Sequence, residues 1–226
     1  MSSGGSDFPW PFENVIQVEA LVVDSTYGAP ECRREYSQGE AEGRLLTLTF
    51  SKLRCGPVHI LAHRGTLQRA LQVLSGAVDC PILGSPRLCK EAEVYREFGY
   101  GIAPLLSTDS DEAREVLGQG RFVRLYGFGD GFPVDLGLGT TITLSAYMAR
   151  RDDPVLDYTD RSYGVALSNH ADFEGTLAYI QATGAKYVIT DNTRSGHGVE
   201  LALEIKSRLG IEAEPSHHVQ TREWGV

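Results

Sequence analysis

The run Ala20-Leu21-Val22-Val23 is apolar without a break and stops at Asp24-Ser25-Thr26-Tyr27-Gly28. That pattern predicts a buried parallel strand whose carboxyl end delivers polar groups to a loop. From Gln38 to Leu53 the apolar positions Leu45, Leu46, Leu48 and Phe50 follow Glu40 and Glu42, which predicts an amphipathic helix ending before Gly56-Pro57. A second strand, Val58–Ala62, runs into His63-Arg64-Gly65-Thr66, after which Leu67, Ala70, Leu71 and Leu74 recur at helical spacing. The same reading places strands at 80–83, 121–125, 140–148, 163–167 and 186–190, and helices at 90–98, 109–116, 173–183 and 199–209. Glycines from Gly127 to Gly139 mark a turn-rich stretch, and Arg150 to Asp160 a charged loop. Strands alternating with helices predict an α/β protein with a largely parallel sheet.

Composition agrees with a folded globular chain and narrows its chemistry. With 226 residues, 42% apolar and 23% charged, the chain is neither disordered nor collagen-like nor a coiled coil. Lys+Arg 21 against Asp+Glu 30 gives −9, which excludes nucleic-acid binding by bulk positive charge and confines any anionic ligand to a local site. Cys32, Cys55, Cys80 and Cys89 form no C-x-x-C pair and are expected as buried, reduced thiols. The amino terminus lacks the basic and apolar regions of a signal peptide, and no apolar run approaches the roughly 18 residues of a membrane span. A cytoplasmic protein with no membrane partner is expected.

Polar segments cluster where strands end. Ser6-Asp7-Phe8, Asp24-Ser25-Thr26-Tyr27-Gly28, Ser168-Asn169-His170-Ala171-Asp172 and Asp191-Asn192 are expected to converge at one edge of the sheet. Carboxylates and a histidine together suit a divalent metal and a proton donor, the needs of metal-assisted hydrolysis. Taken singly, Asp24 and Asp172 read equally well as turn or cap residues.

These segments, with Ala62-His63-Arg64-Gly65-Thr66-Leu67-Gln68-Arg69-Ala70-Leu71 and Gly84-Ser85-Pro86 between them, resemble in order and spacing the β-CASP branch of the metallo-β-lactamase superfamily. That branch holds messenger-RNA 3′-end processing nucleases and DNA-repair exonucleases. The resemblance implies a partial metallo-β-lactamase αββα sandwich, residues 1–28 and 149–226, carrying an inserted β-CASP domain over 29–148 with a mainly parallel sheet. It implies a metal-dependent phosphodiester hydrolase acting on RNA or DNA. Asp7 matches an aspartate that bridges two zinc ions, Asp24 an acidic residue that orients a histidine, and His170 that histidine, which serves the leaving group or the scissile phosphate. Gly65 and Gln68 match a Gly-x-x-Gln turn holding phosphate at a helix start, with Arg64, Arg69 and Ser168 as neighbours in that role.

One hallmark is missing. The family's His-x-His-x-Asp-His loop does not occur among His59, His63, His170, His197, His217 and His218, and its last zinc ligand falls on Asn192, which leaves the adjacent Asp191 as the second candidate metal ligand after Asp7. The chain is therefore expected to be the carboxyl-terminal portion of such a protein, inactive alone. A homodimer or a partner chain would supply the missing half, and apolar surface is expected where that half packs. Two rival readings stand beside this one. A non-catalytic β-CASP subunit would bind nucleic acid or a partner, and Val188–Gly198 resembles the phosphate loop of phosphoribosyltransferases.

Overall fold

The computed structural model describes residues 15–130, 139–145, 152–193 and 196–216. The chain divides into two compact units, one of residues 1–37 and 170–226, the other of residues 38–169. It opens the first unit with strand β1 (Ala20–Val23) and a single 3₁₀ turn at Pro30–Cys32.

The second unit runs α1 (Gln38–Leu53), β2 (Val58–Ala62), α2 (Thr66–Leu74), β3 (Ile82–Gly84), α3 (Pro86–Glu97), β4 (Leu106–Ser107), α4 (Asp111–Gln119), β5 (Val123–Gly127), β6 (Thr140–Leu144), β7 (Val155–Thr159) and β8 (Ser162–Val165). Its seven-stranded sheet has the order β4-β3-β5-β2-β6-β8-β7 and is parallel except for β7, which pairs antiparallel with β8. One face of the sheet presents Val58, Ile60, Val123, Leu125, Ile142, Leu144 and Val165 to Leu45, Leu67, Leu71, Leu74 and Leu88 of the helices, a single apolar core. A smaller cluster of Leu83, Ala113, Val116 and Phe122 seats α4. Ser85 starts α3 by accepting the Leu88 N–H, and Pro86 follows at the first helical position, where its missing N–H costs nothing.

The chain returns to the first unit with α5 (Phe173–Ala182), β9 (Tyr187–Thr190), α6 (Gly198–Glu204), one π turn (Ile205–Leu209) and β10 (Glu212–Pro215). A three-stranded parallel sheet, β1-β9-β10, buries Val188 and Ala213 against Phe173, Leu177, Ile180, Leu201 and Ile205. The opposite face carries Ala20 and Val22 beside Tyr187, Ile189, Glu212 and Glu214, and Val22 is 69% exposed. Parallel sheets are normally covered on both sides; on this face Tyr187 and Ile189 are half-buried and Val22 is the large exposed apolar side chain.

An α/β architecture with mainly parallel sheets is thus observed. Residues 155–165 supply β7 and β8 to the seven-stranded sheet, and residues 29–37 group with the first unit. The loop expected over Arg150 to Asp160 contains β7, an exposed edge strand with charged and polar side chains that hide its hydrophobic pattern. Cys55 is exposed and the other three cysteines are half-buried rather than buried; all four are free thiols. Burial still pushes the thiols of Cys32, Cys80 and Cys89 up, which keeps them protonated. No helix among the described residues is long and apolar enough to cross a membrane.

Candidate functional site

In the first unit, strands β1 and β9 are adjacent and in register, with Val23 beside Thr190, so Asp24 and Asp191 leave the sheet side by side at its carboxyl edge. Each makes the same local turn. Asp24 accepts from the Thr26 N–H and hydroxyl at 3.0 and 3.1 Å. Asp191 Oδ1 accepts from the Thr193 N–H and hydroxyl at 2.9 and 2.6 Å. Asx turns of this kind are the ordinary preference of Asp-x-Thr segments.

The two loops are stitched together. The Ser25 hydroxyl donates to the Asp191 carbonyl, and the Ser25 carbonyl accepts the Gly28 and His197 N–H groups at 3.0 and 2.9 Å. Gly198 must be glycine here, since a Cβ would lie 2.9 Å from Cβ of Asn192. The glycines of the phosphoribosyltransferase-like stretch therefore have a packing reason. Arg194 and Ser195 of that stretch lie outside the described residues.

Above Asp24 stands His170. Its Nδ1 is 3.4 Å from Asp24 Oδ1, and Tyr27 packs edge-on against the imidazole with centroids 5.6 Å apart. Both partners of the pair are about half exposed, at 50% and 53% of their side chains. Arg34 braces the segment from below, its guanidinium donating to the His170 carbonyl at 3.2 Å and its N–H to Asp172 at 3.1 Å. Asp172 also accepts the Gly175 N–H at 2.9 Å, the N-cap of α5. Asp172 is a structural cap, whereas Asp24 serves a turn and a histidine together.

In the second unit the Gly65 turn is closed by its own hydrogen bonds. The Gly65 N–H donates to Gln68 Oε1 at 2.6 Å, and the Leu67 N–H to the His63 carbonyl at 3.0 Å. Gln68 is buried, 3% exposed, and its amide donates to Glu91 at 3.2 Å. Its position is that of a capping residue at the third place of a helix, the alternative that a Gly-x-x-Gln spacing also signals. Gly65 has φ +81°, and a Cβ there would stand 2.0 Å from Nδ2 of Asn169. Arg69 pairs with Glu42 at 2.7 Å.

Arg64 reaches Glu91 at 3.1 Å with 69% of its side chain exposed. Two residues that the sequence reading passed over join it. Arg87 pairs with Asp130 at 2.7 Å and approaches Glu91 at 3.7 Å, and Asp130 accepts the Gly127 N–H at 3.0 Å. The signal for them lay in Pro86-Arg87 after β3 and Phe128-Gly129-Asp130 after β5, polar and glycine residues at strand ends.

Asp7 lies outside the described residues. Among the described residues no group of three or more His, Cys, Asp or Glu side chains is placed to hold a metal ion. Asp191, with Oδ1 engaged by Thr193 and with Asn192 as its neighbour, does not by itself fit a zinc site.

No family model matches the chain. It is similar to a protein of Acidianus ambivalens described as "Uncharacterized protein in lig 3′region", 26% identical over 86 residues, which is 38% of this chain and 61% of that protein. The match thus spans less than two thirds of that relative.

Proposed function

We propose that the chain is the nucleic-acid-handling portion of a β-CASP-type phosphodiester hydrolase, in which His170, aligned by Asp24, meets the scissile phosphate or its leaving oxygen. The observation that carries this is the 3.4 Å approach of His170 Nδ1 to Asp24 Oδ1 at the carboxyl edge of a parallel sheet. A carboxylate facing Nδ1 orients the imidazole ring. The α/β architecture with mainly parallel sheets is consistent with the resemblance. RNA and DNA single strands are the substrates of this reading.

Zinc belongs to the reading only through ligands beyond Asp191, and Asp7 is the position that the resemblance supplies. The second reading, a subunit that binds nucleic acid without cleaving it, follows from a sequence without the His-x-His-x-Asp-His loop.

End-labelled single-stranded RNA and DNA, incubated with the chain and zinc or manganese, separate the two. Cleavage by the chain with metal, slowed about 100-fold or more by His170→Ala while the Kd changes little, supports the hydrolase reading and overturns the expectation that the chain is inactive alone. Binding without cleavage gives the second reading. Neither binding nor cleavage contradicts both.

A further inference from the structure

Strands β2 and β5 are neighbours near the middle of the seven-stranded sheet and end in register, Ala62 beside Gly127. The next residue on each, His63 and Phe128, stack on one another with ring centroids 4.2 Å apart and planes 29° apart. Both are exposed, and Phe128 keeps 45% of its surface in water although one of its ring faces is taken by the imidazole. Neither side chain is part of the apolar cores. A large ring held open to water at the carboxyl end of a central parallel strand costs hydrophobic free energy and adds nothing to the apolar cores described above.

The backbone that carries the ring is tied to the sheet. The Phe128 N–H donates to the Ala62 carbonyl at 3.3 Å, and Asp130 closes the turn by accepting the Gly127 N–H. Asp130 is itself anchored by Arg87 at 2.7 Å. Gly129, at φ +99°, allows the reversal.

We infer that the His63–Phe128 pair is a stacking platform for an unpaired base of single-stranded nucleic acid, with Arg64 and Arg87 beside it for the backbone. This rests on the nucleic-acid reading above and adds to it the group that receives a base. A flat aromatic surface with guanidiniums at hand is what sequence-tolerant single-strand binding uses. Each guanidinium has five N–H donors and spends one or two on Glu91 and Asp130. Two arginines facing two carboxylates leave no net local charge, so stacking rather than bulk attraction carries the contact. The salt dependence is accordingly shallow, a slope of about −1.4 for two phosphates on a single strand.

The test is fluorescence anisotropy on the full chain, with oligothymidylate of about eight nucleotides and an abasic backbone of the same length. Phe128→Ala is expected to weaken oligothymidylate binding about tenfold, His63→Ala to act in the same direction, and Phe128→Trp to retain affinity. The abasic strand should bind wild type and Phe128→Ala alike. Because both side chains are exposed, thermal melts of the variants should overlay the parent. If the wild type binds oligothymidylate and Phe128→Ala binds it equally, the platform is overturned while the nucleic-acid reading stands. If the wild type binds neither oligothymidylate nor oligouridylate, the nucleic-acid reading fails and the platform with it.

Discussion

Asp24 does two jobs with one carboxylate, turning the chain through Thr26 and facing His170. Asparagine keeps an oxygen for the turn but loses the charge opposite Nδ1. Asp24→Asn is therefore expected to lower turnover of an oligonucleotide about 10- to 100-fold with little change in KM, and to leave the melting curve near the parent's. An equal loss in KM would mean that Asp24 shapes binding instead. Gly65 is a purely conformational case. Gly65→Ala is expected to cost roughly 1–3 kcal/mol in urea unfolding, from the positive φ and from the clash with Asn169. The approach of Asp24 to His170 is a long-range contact that periodicity cannot pair; the motif order suggested it. Gln68 was legible as a residue but ambiguous as a role, because one spacing serves both a phosphate turn and a helix cap.

At the scale of elements, β2 carries a buried polar side chain inside the larger unit. His59 is 5% exposed, its Nδ1 is 3.1 Å from the Tyr126 hydroxyl, and its Nε2 is buried without a partner. Burial first, and Arg124 second, push its pKa down from 6.5 to about 4. The unfolded chain binds this proton near pH 6.5 while the folded one resists until about 4, so the folded state is fully favoured above 6.5 and weakens as pH falls through that window. The loss is roughly 2 kcal/mol after allowing for solvent screening. His59→Asn, whose amide takes the place of Nδ1 beside Tyr126 and does not titrate, is expected to flatten the urea midpoint between pH 7 and pH 4 relative to wild type. Most elements were legible for simple reasons: β2 and α1 have the observed bounds because Gly56-Pro57 separates two clear patterns. β10 and β4 were not legible, since Glu212-Ala213-Glu214-Pro215 shows little apolar signal and a two-residue strand shows no period. α3 begins earlier than its apolar spacing suggested because Ser85 and Pro86 start it.

At the scale of the whole chain, the two units have separate apolar cores, and only the larger is continuous in sequence. Residues 38–169 expressed alone are expected to unfold in one cooperative urea transition with helical far-ultraviolet signal retained; a broad, non-cooperative curve would contradict the division. The −9 charge remains a constraint on function, because the arginines near the candidate sites are paired with Glu42, Glu91 and Asp130. Nucleic acid must then be held by local geometry. The most direct test observes the His170 imidazole nitrogens by NMR while a 5′-phosphorylated single-stranded oligonucleotide is added to the full chain. The account predicts a saturable shift of the Nε2 resonance that Asp24→Asn diminishes. An Nε2 resonance that does not move at saturating oligonucleotide would contradict it.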